Sequence, residues 1–253
     1  VFRVKAGVKE IHFGDPGWRL GYARDALNSY FVFKTLREKG TISEDVRFQV
    51  CLPLNYSGIG ALFRTIKDWP VMAAAYEEAM AAELAVIVDK IPPEDLAIQW
   101  DFCVELGMIE GGGAKSGHGS WNDLETQPSE LIGASIAHLS PLIPDEVMLG
   151  FHLCYGTLGG WPMRPGNDLA MGVDAVHLIL DRAGRQVDFV HIPILDNVPA
   201  EYFAPLGNLN SGGTKIYFGV IHNMNDLDDF RHKITECTRY VDDFGVAAPC
   251  GFG

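Results

Sequence analysis

Short apolar runs alternate with longer helical patterns over most of this sequence, and this alternation constrains its fold more than any other feature. Five runs are rich in apolar, β-branched and aromatic residues, a composition typical of strands that are buried on both faces. These runs are Val46–Leu52, Leu96–Phe102, Val147–Cys154, Val187–Ile192 and Lys215–Ile221. Helical patterns occupy Ala23–Glu38, Val71–Lys90, Ser129–Leu142, Asp168–Arg182 and Leu227–Phe244. Repeated strand–helix–strand units predict a parallel sheet.

The rhythm of these units favours a (β/α)8 TIM-type barrel, with an open doubly wound sheet as the alternative. A length of 253 residues suits one large α/β domain, and we treat residues 1–253 as a single catalytic domain. About six or seven strands are convincing, if the short run Val246–Ala248 is counted as the last. We therefore expect the first βα unit to be incomplete before Val46, and the sequence to be a trimmed or partly ordered form of a longer protein.

Charge and cysteine content exclude several functional classes. The chain has 20 Lys and Arg against 33 Asp and Glu, and the resulting net charge of −13 disfavours nucleic acids and anionic membranes as partners. The longest apolar candidate for a membrane span, Met72–Val88, is interrupted by three glutamates. Five widely spaced cysteines do not form a secreted disulfide pattern. We expect a cytoplasmic protein that acts on a small molecule; its oligomeric state is not indicated.

Metal-binding and polar residue types follow the predicted strands. In a barrel, the catalytic groups lie at the carboxyl ends of the strands. The residues found there are Asp101, His152, Cys154, His191 and His222, with Cys250 just after the last candidate strand. His152 and Cys154 are two positions apart, so in a strand they point to the same face. Imidazole and thiol are both ligands for Zn²⁺. The alternative is that the cysteine is a small core residue, as we predict for Cys51, Cys103 and Cys237.

Two further features surround these strand ends. The aromatic residues Trp100, Tyr155 and Trp161 could form the wall of a substrate pocket, or could be ordinary packing. The glycine-rich connection Cys103–Pro128 could close as a lid over the catalytic face, or could be a flexible insertion. Its glycines match neither the dinucleotide-binding motif nor the P-loop, so no nucleotide cofactor is predicted.

Five motifs in order carry a family resemblance. They are VRFQVCLPLN (Val46–Asn55), IQWD (Ile98–Asp101), HLCYG (His152–Gly156), IYFGVIH (Ile216–His222) and PCGFG (Pro249–Gly253). From residue 46 onward the chain resembles the C-terminal catalytic barrel of cobalamin-independent methionine synthase, in the superfamily that includes uroporphyrinogen decarboxylase. The first 45 residues match less clearly.

The resemblance implies a zinc ion that holds a thiol substrate and activates it to receive a methyl group. It implies zinc ligation by His152, Cys154 and Cys250, substrate contact by Asp101, and assistance to proton transfer by His222. The family's zinc-binding glutamate is missing from the strand Val187–Pro193. A fourth ligand could come from His191, Asp196, water or substrate, or the metal could be absent.

The sequence therefore predicts a zinc-dependent methyltransferase or demethylase with a thiol or folate as co-substrate. Two alternatives stay open. A decarboxylase or lyase of the same superfamily would use Asp101 and His222 as acid–base groups. A non-catalytic relative would bind a small molecule without transforming it.

Overall fold

The computed structural model describes residues 2–13, 20–60, 62–63, 65–110, 124–157, 160–163, 165–222 and 226–251. Within these ranges, six strands form one sheet, and every neighbouring pair is parallel. The strands are β1 (Phe48–Pro53), β2 (Leu96–Phe102), β3 (Met148–Leu153), β4 (Phe189–Pro193), β5 (Lys215–Gly219) and β6 (Phe244–Ala247). Their order in the sheet is their order in the chain.

Helices connect the strands. They are α1 (Tyr22–Glu38), α2 (Asn55–Ile59), α3 (Trp69–Lys90), α4 (Val104–Ile109), α5 (Pro128–Leu139), α6 (Ala170–Arg182) and α7 (Leu227–Thr238). A 3-10 helix, Ala200–Asn208, lies between β4 and β5. None of the helices in the described ranges has both the length and the apolar character to cross a membrane.

The two faces of the sheet have different environments because side chains alternate along each strand. On the face that we call outer, large apolar side chains such as Ile98, Phe151 and Phe218 are completely buried in the core. The helices pack against one another in chain order, α1 on α3, α3 on α5, and α5 on α6. The opposite, inner face carries polar residues of β1 to β5 and lines a cavity.

The strand order bears on the predicted architecture. A doubly wound sheet reverses its order at a switch point, and the described strands show no reversal. The structure therefore confirms a mixed α/β fold with an all-parallel sheet. It does not show the complete eight-stranded barrel, since six strands are described and no pairing between β1 and β6 occurs among them.

The predicted strand bounds are confirmed to within two residues, because the apolar runs are the buried segments themselves. The last helix was predicted too long: α7 ends at Thr238, and Phe244 begins β6. The short helices α2 and α4 were not predicted, and α4 occupies the start of the connection Cys103–Pro128. Residues 111–123 of the predicted lid, with Lys115 and His118, lie outside the described residues.

Candidate metal centre

The inner face of the sheet lines a cavity with a volume of about 560 Å³. We call it the sheet cavity. All six strands or the residues just after them contribute to it. Its lining residues include Gln49, Cys51, Gln99, Asp101, His152, Phe189, His191, Tyr217 and Cys250.

Three ligand-type side chains converge at the carboxyl end of this cavity. His152 projects from β3 to the inner face, and Cys154 follows after the strand, its amide still donating to the Phe102 carbonyl at 3.0 Å. Cys250 comes from the segment after β6. The two thiol sulfurs are 3.7 Å apart, and the ligand atoms of all three residues lie within 4.8 Å of one another.

The spacing fits a metal ion better than a disulfide. Disulfide sulfurs are about 2.05 Å apart. Two thiolates bound tetrahedrally to zinc at about 2.3 Å stand roughly 3.8 Å apart, close to the observed separation. The Nε2 atom of His152 is buried and has no hydrogen-bond partner among the described residues. These three residues, defined here as the His–Cys–Cys cluster, could therefore hold a metal ion and leave a fourth position for another ligand.

Burial keeps His152 of the cluster and the adjacent His191 in their neutral forms near neutral pH. The Nδ1 atoms of His152 and His191 are 2.8 Å apart, and the rings stack with centroids 4.6 Å apart. Burial, with a smaller effect from the charge of His191, lowers the pKa of His152 to about 3. Burial lowers the pKa of His191 to about 4, although the backbone of Ala248 opposes the change. The pair therefore offers lone pairs rather than positive charge at neutral pH.

The thiols of the cluster are protonated when no cation is bound. A hydrogen bond with Cys103 and burial raise the pKa of Cys154. Burial and the neighbouring Cys154 raise the pKa of Cys250 to about 11. Metal binding would reverse this state, because a coordinating thiol loses its proton to the cation's field.

Asp101 lies on β2 directly opposite His152 of β3 and lines the same cavity, as the strand-end argument predicted. Gln99 donates to its Oδ1 atom at 2.9 Å, and Gln49 donates to Gln99 at 3.1 Å. Burial raises the pKa of Asp101 to about 6, while the Gln99 hydrogen bond opposes the increase. This carboxyl group can therefore hold or release a proton near neutral pH.

Two aromatic rings form the apolar part of the cavity. Phe189 and Tyr217 meet edge to face with centroids 5.9 Å apart. A Cβ atom at Gly150 would overlap the Phe189 ring, and one at Gly245 would overlap the Tyr217 ring. These glycines therefore let both rings lie across the neighbouring strands. Sequence reasoning missed Gln49, Gln99 and both rings. Gln99 and Phe189 stand two positions before Asp101 and His191, a spacing that marks them as inner-face positions.

His222 lies at a different cavity from the one that Asp101 lines. This second cavity, which we call the loop cavity, has a volume of about 240 Å³. The Nε2 atom of His222 donates to the Ile194 carbonyl at 2.6 Å, and its Nδ1 atom is 3.1 Å from Asp196. Burial and the charge of Lys233 lower the pKa of His222, while Asp196 opposes the change. The structure thus does not pair His222 with Asp101, and Asp196 is not part of the His–Cys–Cys cluster.

The structure does not bring two predicted substrate-binding residues to the sheet cavity. Trp100 neighbours Asp101 on β2 and therefore points to the outer face, where it is completely buried in the core. Tyr155 is also buried, and its hydroxyl lies 3.4 Å from that of Tyr202. Neither side chain lines the sheet cavity, so a role of either in substrate binding there stays a prediction without support from the cavity lining.

The remaining cysteines differ in position. Cys51 is exposed on the inner face and lines the sheet cavity, so the prediction of a structural role does not describe its place. Cys103 interacts with Cys154, and Cys237 is buried in the core as predicted.

The chain matches no protein-family model and no curated protein. The resemblance to methionine synthase therefore rests on the five motifs, and the function has to be argued from the site itself.

Proposed function

We propose that this protein is a zinc-dependent enzyme that moves a methyl group to or from a small molecule, with a thiol or a folate as the other reactant. The observation that supports the proposal is the His–Cys–Cys cluster at the end of a cavity large enough for a small molecule. Three protein ligands with one open position are typical of catalytic rather than structural zinc sites. We also propose that the sheet is part of a (β/α)8 barrel, because its strand order is sequential and helices cover its outer face.

The roles of the residues follow from their positions. His152, Cys154 and Cys250 would hold the zinc ion. When bound, zinc supplies the charge that keeps a coordinated substrate thiol deprotonated and nucleophilic. Phe189 and Tyr217 would pack against the apolar part of the substrate. Asp101 would hold or release a proton, since its raised pKa allows both states near neutral pH.

Asp101 also favours a second candidate function. A carboxyl group with a pKa of about 6 in a partly apolar cavity could serve a decarboxylase or lyase as its acid–base group. His222 would not be its partner, because its ring lies at the loop cavity, where Nε2 donates to the Ile194 carbonyl and Nδ1 is 3.1 Å from Asp196. This candidate predicts activity without zinc.

The test starts from metal content. Protein purified under reducing conditions is titrated with Zn²⁺, and we expect one ion per chain in the wild type and none in Cys154→Ser or Cys250→Ser. Cys51→Ser is the matched control, because Cys51 lines the same cavity but does not belong to the cluster. Wild-type protein that binds no zinc at any stoichiometry would exclude the zinc-dependent proposal.

The reaction is then identified by product mass. Wild type and Cys154→Ser are incubated with folate and thioether methyl donors and with thiol acceptors. We expect zinc-dependent transfer of one methyl group in the wild type alone. Release of CO₂ from added small carboxylic acids by zinc-free protein, lost in Asp101→Asn, would favour the decarboxylase instead. Ligand binding without any product would favour a non-catalytic relative.

A further inference from the structure

We infer that His191 is a positioning residue that fixes the tautomer of His152, so that the Nε2 lone pair of His152 faces the His–Cys–Cys cluster. The inference rests on the proposed metal site and deepens it. It also implies that His191 is not itself a ligand through Nδ1, because that atom is already engaged.

The contact between the His152 and His191 rings requires a proton on one of the two Nδ1 atoms. Their Nδ1 atoms are 2.8 Å apart, which is a hydrogen-bond distance. A neutral imidazole has one N–H donor and one lone-pair acceptor, so one of these Nδ1 atoms must carry a proton and the other must not. Two arrangements are possible in principle, and the surroundings of His191 distinguish them.

The far side of the His191 ring favours a proton on its Nε2 atom. Gly219 of β5 lies next to this atom: a Cβ there would come within 2.8 Å of Nε2 and 3.0 Å of the Ala248 carbonyl oxygen. The backbone of Ala248 interacts with the His191 ring. Nε2 has no hydrogen-bond partner among the described residues, and the Ala248 carbonyl oxygen is the acceptor that the same Cβ would meet. A carbonyl oxygen accepts only, so it selects the tautomer with the proton on Nε2.

The tautomer of His191 determines which nitrogen of His152 has its lone pair free for the His–Cys–Cys cluster. With its proton on Nε2, His191 presents a lone pair at Nδ1, and His152 must donate from its own Nδ1. The lone pair of His152 is then on Nε2, the buried atom that lacks a partner. Metal-binding histidines use one ring nitrogen for the metal and donate a hydrogen bond from the other. His191 would therefore prepare His152 for metal binding.

His191 would also link the two halves of the cluster. Its Nδ1 atom contacts His152 on β3, and its Nε2 atom lies beside Ala248, two residues before Cys250. The β4 side chain thus stands between the two segments that supply ligands. Its loss would loosen the spacing of the cluster as well as the tautomer.

Two variants test this inference. His191→Leu removes the hydrogen bond to His152 and the polar Nε2 atom beside Ala248 with little change in size, whereas His191→Gln keeps one acceptor and one donor. We expect His191→Leu to weaken Zn²⁺ binding by about 10–100-fold and His191→Gln to retain most of the affinity. His138→Leu, the same substitution at an exposed histidine of α5, is the control and should bind zinc like the wild type. X-ray absorption of the wild-type zinc complex should show two sulfurs and one imidazole.

A measurement without metal separates this inference from the proposed function. In ¹⁵N NMR of the metal-free protein, we expect His152 to carry its proton on Nδ1 in the wild type and in His191→Gln. In His191→Leu the proton should move to Nε2. An Nε2–H tautomer in the wild type, unchanged zinc affinity in His191→Leu, or a second imidazole on the metal would overturn the inference. Failure of the wild type to bind zinc would overturn the proposed function, while the tautomer would still test the pairing of the two rings.

Discussion

The sheet cavity and the loop cavity both contain histidine and aspartate side chains, but their polar atoms are paired differently. In the loop cavity, Lys233 is almost completely buried and forms ion pairs with Asp196, at 2.9 Å, and with Asp229. His222 adds a contact to the same Asp196 carboxylate. In the sheet cavity, the thiols and imidazoles are neutral, and the Nε2 atom of His152 is left without a partner.

The difference separates a group of residues that holds the fold from one that is prepared for a ligand. Buried polar groups are normally paired, so an unpaired buried nitrogen needs an explanation. The charges of the loop cavity are paired within the fold. Lys233 of α7 binds Asp196 and Asp229, and Asp229 accepts a hydrogen bond from the amide of Asn197 after β4. We therefore expect the loop cavity to contribute to stability and the sheet cavity to contribute to binding.

The largest expected effect is on the loop cavity. Lys233→Met keeps the volume of the side chain but leaves Asp196 and Asp229 without their shared cation. Removing one partner of a buried ion pair costs about 3–5 kcal/mol, and we expect about 3 kcal/mol because Asp196 is half exposed. Urea denaturation at pH 7 measures the loss, and zinc binding should be unchanged.

Lys215→Met provides the matched control. Lys215 pairs with Asp243, which is largely exposed, and such pairs contribute about 0–1 kcal/mol. A loss in Lys233→Met no larger than in Lys215→Met would show that the loop cavity is not a structural network.

The second effect concerns the sheet cavity. A ligand that binds the folded state alone stabilises it by about 2.7 kcal/mol at one hundred times its dissociation constant. We expect Zn²⁺ to raise the free energy of unfolding of the wild type and of Lys233→Met by this amount. Cys154→Ser should gain nothing from the metal. Equal stabilisation of Cys154→Ser would mean that the metal binds elsewhere.

The ligand cluster could be predicted from the sequence because it follows from two simple patterns, the alternation of side chains in a strand and the position of the strand ends. The spacing of His152 and Cys154 fixes a shared face, and the strand-end rule brings Cys250 to the same edge of the sheet. The strands could be predicted equally well, because each is an apolar run. The same alternation, applied one position earlier, would have placed Trp100 in the core rather than in the cavity.

What the sequence did not reveal depends on contacts between distant segments. His222 follows β5, as predicted, but its ring turns to the Ile194 carbonyl and Asp196 rather than toward Asp101. The short helices α2 and α4 are joined by Ser57, which bonds the Glu105 carboxylate and accepts from the Cys103 amide. Neither pattern has a period that a sequence could show. The apolar part of the sheet cavity, formed by Phe189 and Tyr217, was also missed, because the position of each ring depends on a glycine in the neighbouring strand.

The third prediction tests whether the Phe189 ring of the sheet cavity affects small-molecule binding independently of the His–Cys–Cys cluster. Gly150→Ala places a methyl group where the Phe189 ring lies, and overpacking of this kind costs about 1–3 kcal/mol. We expect about 1–2 kcal/mol, because the ring is only partly buried and can move into the cavity. Zinc affinity should be retained while small-molecule binding weakens. Adding Phe189→Leu should recover part of the stability, and strictly additive losses would contradict the proposed contact.

The smallest effect is a pH dependence that belongs to the loop cavity. Burial alone would raise the pKa of Asp229, but the hydrogen bond and charge of Lys233 hold it below the ordinary value. A carboxylate with a lowered pKa stabilises the fold above its unfolded-state pKa and loses that contribution as pH falls through its folded-state pKa. We expect the wild type to exceed Asp229→Asn by about 1 kcal/mol at pH 7, and the difference to shrink below about pH 4. Asp228→Asn, which alters an exposed pair with Arg231, should show neither change. If the wild type and Asp229→Asn lost stability in parallel from pH 7 to pH 3, the carboxylate would not be what anchors Lys233, and the contrast between the two cavities would rest on Asp196 alone.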